Sequence, residues 1–386
     1  MSPIRVLHLA RVVNRYDFID TIVRYLPRDQ FFTEVATFQA YPNIQSPAYE
    51  QIGIPHHVIP VPSMRAYPAY LKAATKLARL LKKRNIHILH THHYWEGLVG
   101  ALAKRLYPAT KLIIHRHYTE DITRLKGWKA KTLLYFEQFS YQFADTIVVP
   151  TRTIHNFVIS LHKSIKLPKI VDIPYGFEFE AEKYQPLSEQ ERLDFRRIHG
   201  VAEDTCIVTN VGSHRLQKGQ VELIQAFAKL VREGARAVLW LVGDGPDGIH
   251  LRKIAEPLGD KVRFWGWQPP EMVRLLMGTS DIIAHPSYSE AFPQVMIEAL
   301  ALERALVISQ VSGAVETLTH TETAWLIPVG DTTELYKALK TLIANPELRT
   351  SLGSAGRRHI LAKLHYSVIN RSYLHLYSEL CSQSVS

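Results

Sequence analysis

The feature that most constrains this chain is an alternation, run through twice, of short apolar stretches with amphipathic ones. In the first half, Ile4 to Ala10, Thr33 to Phe38, Pro55 to Pro60, Ile86 to His90, Lys111 to His115 and Thr146 to Val149 read as buried strands. Between them, Asp17 to Tyr25 and Ala69 to Lys83 carry apolar residues at helical spacing. In the second half, Cys206 to Val211, Ala237 to Val242, Lys261 to Trp265, Asp281 to Ala284, Ala305 to Ser309 and Ala324 to Ile327 repeat the pattern, with a helix over Val221 to Val231. Continuous apolar runs alternating with helices imply parallel sheets covered on both faces. With 386 residues the chain exceeds one ordinary core, so two doubly wound α/β domains are expected. The boundaries read as 1–183 and 184–366, joined by a polar linker over residues 178–192, with a terminal helix from about Ser367 to Leu380 inside a last segment, 367–386.

Composition narrows the class. An apolar content of 46% and a charged content of 21% are those of a globular protein. Cys206 and Cys381 offer no disulfide framework, which fits a reducing compartment. The opening Ser2 to Ala10 has a strand pattern and not that of a secretory leader. No apolar run is long enough to cross a bilayer, so a cytoplasmic protein is expected. The net charge of +10 is uneven. Residues 1–183 hold 25 Lys+Arg against 14 Asp+Glu, whereas the remainder holds 21 against 22. The basic half suggests an acidic partner, such as anionic lipid headgroups, a phosphorylated acceptor or nucleic acid. Lys72, Lys76, Arg79 and Lys83 fall on one face of the 69–83 helix, opposite Leu77, Leu80 and Leu81. A solvated outer helix accounts for that face first. A membrane-surface contact is the second reading, for which Trp128 among Lys126, Lys129 and Lys131 is another candidate. A nucleic-acid platform is not expected, because no array of aromatics with arginines accompanies the charge.

Two strand–loop–helix transitions carry the chemistry. In the first, Asp281 to Ala284 ends at His285-Pro286, a polar loop runs from Ser287 to Glu290, and an apolar helix begins near Phe292 or Pro293. Glu298 lies among Met296, Ile297, Ala299 and Leu300, where a carboxylate is expected to be paired or functional. A fully helical spacing would set Glu290 and Glu298 about 12 Å apart along the axis. That is too far to share a proton, and it suits the two hydroxyl-rich ends of one ligand. Two surface carboxylates remain the plain alternative. In the second transition, the strand at 206–211 runs into Gly212-Ser213-His214-Arg215-Leu216-Gln217-Lys218-Gly219 and opens a helix. Gly212 permits a tight turn. Arg215 and Lys218 stand where a diphosphate would meet the helix N-terminus.

These residues resemble a known family. Ser289-Glu290-Ala291-Phe292-Pro293-Gln294-Val295-Met296-Ile297-Glu298 resembles the E-x7-E signature of glycosyltransferase family 4, whose members are retaining, nucleotide-sugar-dependent enzymes of the GT-B fold. Ala291 takes the place of the family's usual glycine. The stretch from Gly212 to Gly219 is similar to the family's Gly-Arg-Leu-x-x-x-Lys-Gly segment, with Ser213 at the Arg position and Arg215 two residues on. Gly243-Asp244-Gly245-Pro246 resembles a Gly-x-Gly-Pro loop near the nucleotide. Ser312-Gly313-Ala314-Val315-Glu316 resembles a Gly-Gly-x-x-Glu loop, in which Glu316 would support the fold. Pro174-Tyr175-Gly176 resembles an interdomain hinge.

The resemblance implies two Rossmann-like domains facing a central cleft, with the terminal helix crossing back to the first. It implies transfer of a sugar from a nucleotide diphosphate to an acceptor hydroxyl of a glycan or lipid-linked acceptor, in polysaccharide, lipopolysaccharide or glycolipid synthesis. No essential metal or other cofactor is implied. Glu290 would grip the donor sugar and Glu298 the ribose, while Lys218 and Arg215 meet the diphosphate. Gly212, Ser213, Gly243, Gly245 and Phe292 would complete the donor site. His117, at the end of a strand, matches a family histidine beside the donor sugar. On the acceptor side stand Asn14, Arg15, His92 and His93. The gathering of His90, His92, His93, His115 and His117 invites a metal reading, against which no cysteine or paired carboxylate lies at ligand spacing. A sugar-nucleotide epimerase of similar fold, and a basic non-catalytic binding module at a membrane or nucleic acid, are the alternatives.

Overall fold

A computed structural model describes residues 3–11, 17–38, 49, 51–61, 67–117 and 128–382. The chain divides into two compact units. Unit 1 comprises Met1–Glu178 with Leu364–Ser386, and unit 2 comprises Phe179–Lys363.

Among the described residues, unit 1 is built on seven parallel strands in the order β3-β2-β1-β4-β5-β6-β7. They are β1 Ile4–Ala10, β2 Phe31–Thr37, β3 His56–Val58, β4 Ile88–His92, β5 Lys111–His115, β6 Thr146–Val149 and β7 Lys169–Asp172. The central strands are buried on both faces: Val6, Leu7, Leu9, Ile88, Leu89, Leu112 and Ile113 have no solvent exposure. Such strands need helices on either side, which the intervening sequence supplies. The strand expected over Ile86 to His90 begins and ends two residues later. The pairing Val6↔Ile88 to Leu9↔Thr91 sets that register, carrying His92 into the sheet.

The helix Tyr67–Arg84 buries Ala73, Ala74, Leu77 and Leu81 and turns Lys72, Lys76, Arg79 and Lys83 to solvent, as its periodicity predicts. Trp128 opens the helix Trp128–Phe143 and is 70% exposed. The terminal helix Tyr366–Ser382 belongs to unit 1. It buries Ile369, Tyr373, Leu376, Tyr377 and Leu380, Asn370 Nδ2 donates to Thr21 O at 3.0 Å, and Tyr366 stacks on Tyr25 at 4.1 Å.

Unit 2 holds six parallel strands in the order β10-β9-β8-β11-β12-β13. These are β8 Cys206–Val211, β9 Ala237–Val242, β10 Val262–Gly266, β11 Ile282–His285, β12 Ala305–Ser309 and β13 Trp325–Ile327. The order reverses between β8 and β11, and loops leaving adjacent strands at such a switch point converge. The division between the units falls at the start of the polar 178–192 stretch, after Glu178, and the residues that follow are structured. Phe179, Tyr184 and Leu187 are buried, and Ser188 caps the helix Glu189–Ile198 in a reciprocal capping box with Glu191. Both cysteines are free thiols.

Candidate functional site

The site in unit 2 forms where the loops after β8, β9 and β11 meet. The loop after β8 runs from Gly212 through a short 3-10 turn, Leu216–Lys218, to Gly219, which begins the helix Gln220–Arg232. Gly219 sits at φ 71°, and a Cβ there would stand 2.0 Å from the Pro286 carbonyl oxygen. Only glycine allows this loop to press against the one leaving β11. The seam is closed by hydrogen bonds: Tyr288 N donates to Gln217 O at 2.8 Å, and Ser287 Oγ donates to the same carbonyl at 3.2 Å. The loop after β9 is joined likewise. Gly243, at φ 131°, would bring a Cβ to 2.0 Å from Gly212 O, and His214 N donates to Asp244 O at 2.9 Å. The tight approach therefore requires Gly243 and not Gly212, where the sequence suggested it. A Cβ on Gly212 meets nothing within 4 Å, so that position faces open space.

Glu290 stands at this junction. It receives an ion pair from Lys218 Nζ and a contact from His285 Nε2 at 3.0 Å. Burial alone would raise the carboxyl's pKa. The hydrogen bond and charge of His285 and the charge of Lys218 outweigh it and hold the pKa at about 2. The group is thus a fixed anion that accepts hydrogen bonds and donates none. Beneath it, Ser312 Oγ donates to Glu290 O at 3.2 Å and Ala291 O at 2.8 Å. A Cβ on Gly313 would stand 2.8 Å from Phe292 Cα. Ser312 and Gly313 therefore form the floor of the loop, while Glu316 is exposed. His285 is the residue the sequence reading passed over. Its signal was its place at the end of β11, five residues before Glu290.

The helix carrying Glu298 spans Gln294–Ala301, with Pro293 extended at its N-cap (ψ 116°). Glu290 therefore lies outside that helix, and the spacing of eight is not a helical repeat. Gln294 Nε2 donates to Glu298 Oε1 at 3.1 Å. Glu298 opens onto a cavity of about 280 Å³ lined also by Val211, Trp267, Val273, Arg274 and Met277. An indole, apolar walls, an arginine and a carboxylate suit a flat heterocycle with an attached hydroxylated ring. Of the remaining donor-side residues, Arg215 and Ser213 are exposed, Gly245 packs against the His214 backbone, and Phe292 is half-buried.

In unit 1 the expected residues fall differently. Asn14 and Arg15 lie outside the described residues, as does Lys126. His92 was expected at the acceptor side but is fully buried on β4. His93 stands at φ 74° before the helix Tyr94–Leu106, a conformation that non-glycine residues avoid. His117 lies two residues past β5, and its Nδ1 meets the Tyr175 hydroxyl at 2.7 Å. Burial and the neighbouring histidines hold its pKa well below the ordinary value, so its ring is neutral. Glu96, in the first turn of that helix, was not foreseen. Its burial lifts the carboxyl to about 8, against opposition from its own backbone hydrogen bond and Arg11. Nothing in the local sequence marks a first-turn glutamate as enclosed.

Comparison with known proteins follows the same division of the chain. Residues 191–359 match the model of the glycosyl transferases group 1, and residues 18–176 match the glycosyl transferase 4-like domain. The N-acetyl-alpha-D-glucosaminyl L-malate synthase of Bacillus anthracis is 27% identical over 346 residues, which is 89% of this chain and 86% of that protein. The capsular polysaccharide biosynthesis glycosyltransferase CapM of Staphylococcus aureus is 25% identical, over 85% of this chain and 86% of its own length. Among solved structures, HepE of Anabaena in complex with UDP matches with a TM-score of 0.80 at 21% identity, covering 98% of this chain and all of that one. At that identity the likeness speaks for the fold.

Proposed function

The chain belongs to the group 1 glycosyl transferases, its N-terminal half being of the 4-like type, and from that premise we propose how unit 2 handles a nucleotide-sugar donor. The enzyme is a glycosyltransferase. The donor is a UDP-sugar and the product keeps the configuration of the anomeric carbon. The observation that carries this reading is the Lys218–Glu290–His285 cluster at the junction of three loops.

Glu290, held as an anion, accepts hydrogen bonds from hydroxyls of the donor sugar. Lys218 exchanges its partner for the diphosphate, with Arg215 beside it. Charge grows on the departing UDP as the glycosidic bond breaks, and fixed cations there stabilise the transition state more than the ground state. Glu298 takes the ribose hydroxyls while the base enters the cavity beside Trp267. Neutral His117 is left to orient a sugar or acceptor hydroxyl. UDP is favoured because HepE of Anabaena, of the same fold, is described with UDP and with UDP-glucose. The acceptor is a glycan or lipid-linked glycan of the cell envelope, the class in which CapM and the lipopolysaccharide core glycosyltransferases LpsD and LpsE of Rhizobium meliloti are named.

Among the described residues no helix is long and apolar enough to cross a membrane. A peripheral contact is supported by the exposed Lys72, Lys76, Arg79 and Lys83. It is further supported by an adjoining apolar cavity of about 410 Å³ that includes Tyr70, Leu71, Leu98, Tyr135 and Phe139. Anionic vesicles should carry the protein in flotation at low salt and release it at high salt, and equal recovery with neutral vesicles would count against the contact.

A melting-temperature panel with UDP, GDP, ADP and TDP tests the donor. At about a hundredfold excess over Kd, UDP should add roughly 3 kcal/mol, a rise of about 5–10 °C for a domain of this size. Lys218→Ala should lose most of that rise. Absence of any nucleotide effect would remove the donor assignment, and UDP release that needs no acceptor would favour an epimerase or hydrolase.

A further inference from the structure

Five histidines meet inside unit 1. His8 lies on β1, His90 and His92 on β4, and His115 and His117 at the end of β5. The register places His8 beside His90 and His92 beside His115. Side chains at alternate positions share a face of a strand, so His90 and His92 project together. Ring centroids of His8, His90 and His92 stand 4.5–5.4 Å apart. All three residues have no solvent exposure. They lie on the two strands, β1 and β4, between which the strand order reverses.

Hydrogen bonding within the group is incomplete. His8 Nδ1 faces His92 Nε2 at 3.1 Å, and His92 Nδ1 faces His117 Nε2 at 3.2 Å. His117 Nδ1 ends this file on the Tyr175 hydroxyl, and His90 Nδ1 is bound to the Tyr377 hydroxyl at 2.7 Å. His8 Nε2, His90 Nε2 and both nitrogens of His115 find no partner among the described residues. Buried polar atoms are rarely left so.

We propose that His8, His90 and His92 bind a single divalent ion of the imidazole-preferring class, zinc being the fitting member. One ring nitrogen of each lies within 4.8 Å of the other two. Two nitrogens at about 2.05 Å from a tetrahedral ion stand roughly 3.3 Å apart, and the His8–His92 pair is already at 3.1 Å. The outer hydrogen bonds of His90 to Tyr377 and of His92 to His117 are the kind that fix ligand tautomer and orientation. Three neutral nitrogens without a carboxylate favour zinc, cobalt, nickel or copper over magnesium or calcium. His92, His115 and His117 form a second close set. It shares His92 and is less enclosed, and neither nitrogen of His115 has an orienting bond. The ion would tie β1 to β4 beneath the terminal helix.

The full chain, stripped with a chelator, is titrated with Co²⁺ and then with Zn²⁺. One equivalent of Co²⁺ should give the intense visible bands of a tetrahedral nitrogen site, Zn²⁺ should bleach them, and either ion should raise Tm. His8→Gln and His90→Gln should each weaken binding more than tenfold, while exposed His250→Gln and His115→Gln should leave it intact. A pale octahedral spectrum, no rise in Tm, or bands that survive both His8→Gln and His90→Gln would overturn the site. Loss in His115→Gln would overturn the ligand set. If a variant fails to fold, the wild-type stoichiometry and spectrum still decide. The UDP-induced rise in Tm, followed in parallel, is expected with or without the ion.

Discussion

Glu290→Gln is the substitution whose effect the structure specifies most fully. The glutamine keeps the shape but not the charge, so it imitates the protonated carboxyl. A carboxyl whose pKa falls from 4.5 to about 2 on folding contributes about 3 kcal/mol of stability above its unfolded pKa. The side chain is 17% exposed, so little of this is lost to solvent screening. For a domain of unit 2's size that is a fall in Tm of roughly 6–12 °C at neutral pH. The sign with pH is fixed. The folded state holds the carboxylate more strongly than the unfolded chain, so the advantage is complete above about pH 4.5 and fades towards pH 2. At about pH 3 more than half of the gap between wild type and variant should have closed. Paired thermal or guanidinium unfolding curves at neutral pH and near pH 3 provide the assay, and transfer activity in the variant should fall in parallel. Equal stability at neutral pH, or a gap that does not narrow in acid, would refute the assignment of Lys218 and His285 as the partners that hold the anion.

Four further outcomes are expected. Gly219→Ala must adopt a left-handed conformation costing about 1–2 kcal/mol and drive the Pro286 loop away from a Cβ placed at 2.0 Å. Unfolding curves should show a loss beyond that backbone cost, together with lost UDP binding. Lys218→Ala should lower turnover about tenfold or more, as expected for a cation aimed at a leaving phosphate, whereas Glu298→Ala should chiefly weaken UDP affinity in calorimetry. Unchanged values would remove those roles. Glu96 carries a carboxyl raised to about 8, so the folded state binds a proton that the unfolded chain releases, and its stability cost grows from about pH 4.5 to pH 8. Glu96→Gln should therefore stabilise the protein near pH 8 and leave it unchanged near pH 4, read from melting curves at both.

The sequence by itself determined the two α/β halves, because continuous apolar runs alternating with amphipathic helices have few other ways to bury their surfaces. It placed β1, β5, β6, β8, β9 and β12 at their observed bounds. It also marked Lys218 and Glu290, since each sits between the end of a strand and the start of a helix, and Glu298, since it is a carboxylate among apolar helix neighbours. Partnership between distant segments was decided only by tertiary structure. His285 as the companion of Glu290 depends on how the loop after β11 folds back. The need for glycine at 219 and 243 depends on carbonyls from other loops, Pro286 and Gly212. His8 joins the histidine cluster because strand order sets β1 beside β4, more than 80 residues away. The two-residue shift of β4, which takes His92 inside, follows from that pairing. Local pattern reports which face of an element is apolar. Register and strand order, set by packing the whole sheet, determine which side chains touch and which polar atoms are left without partners.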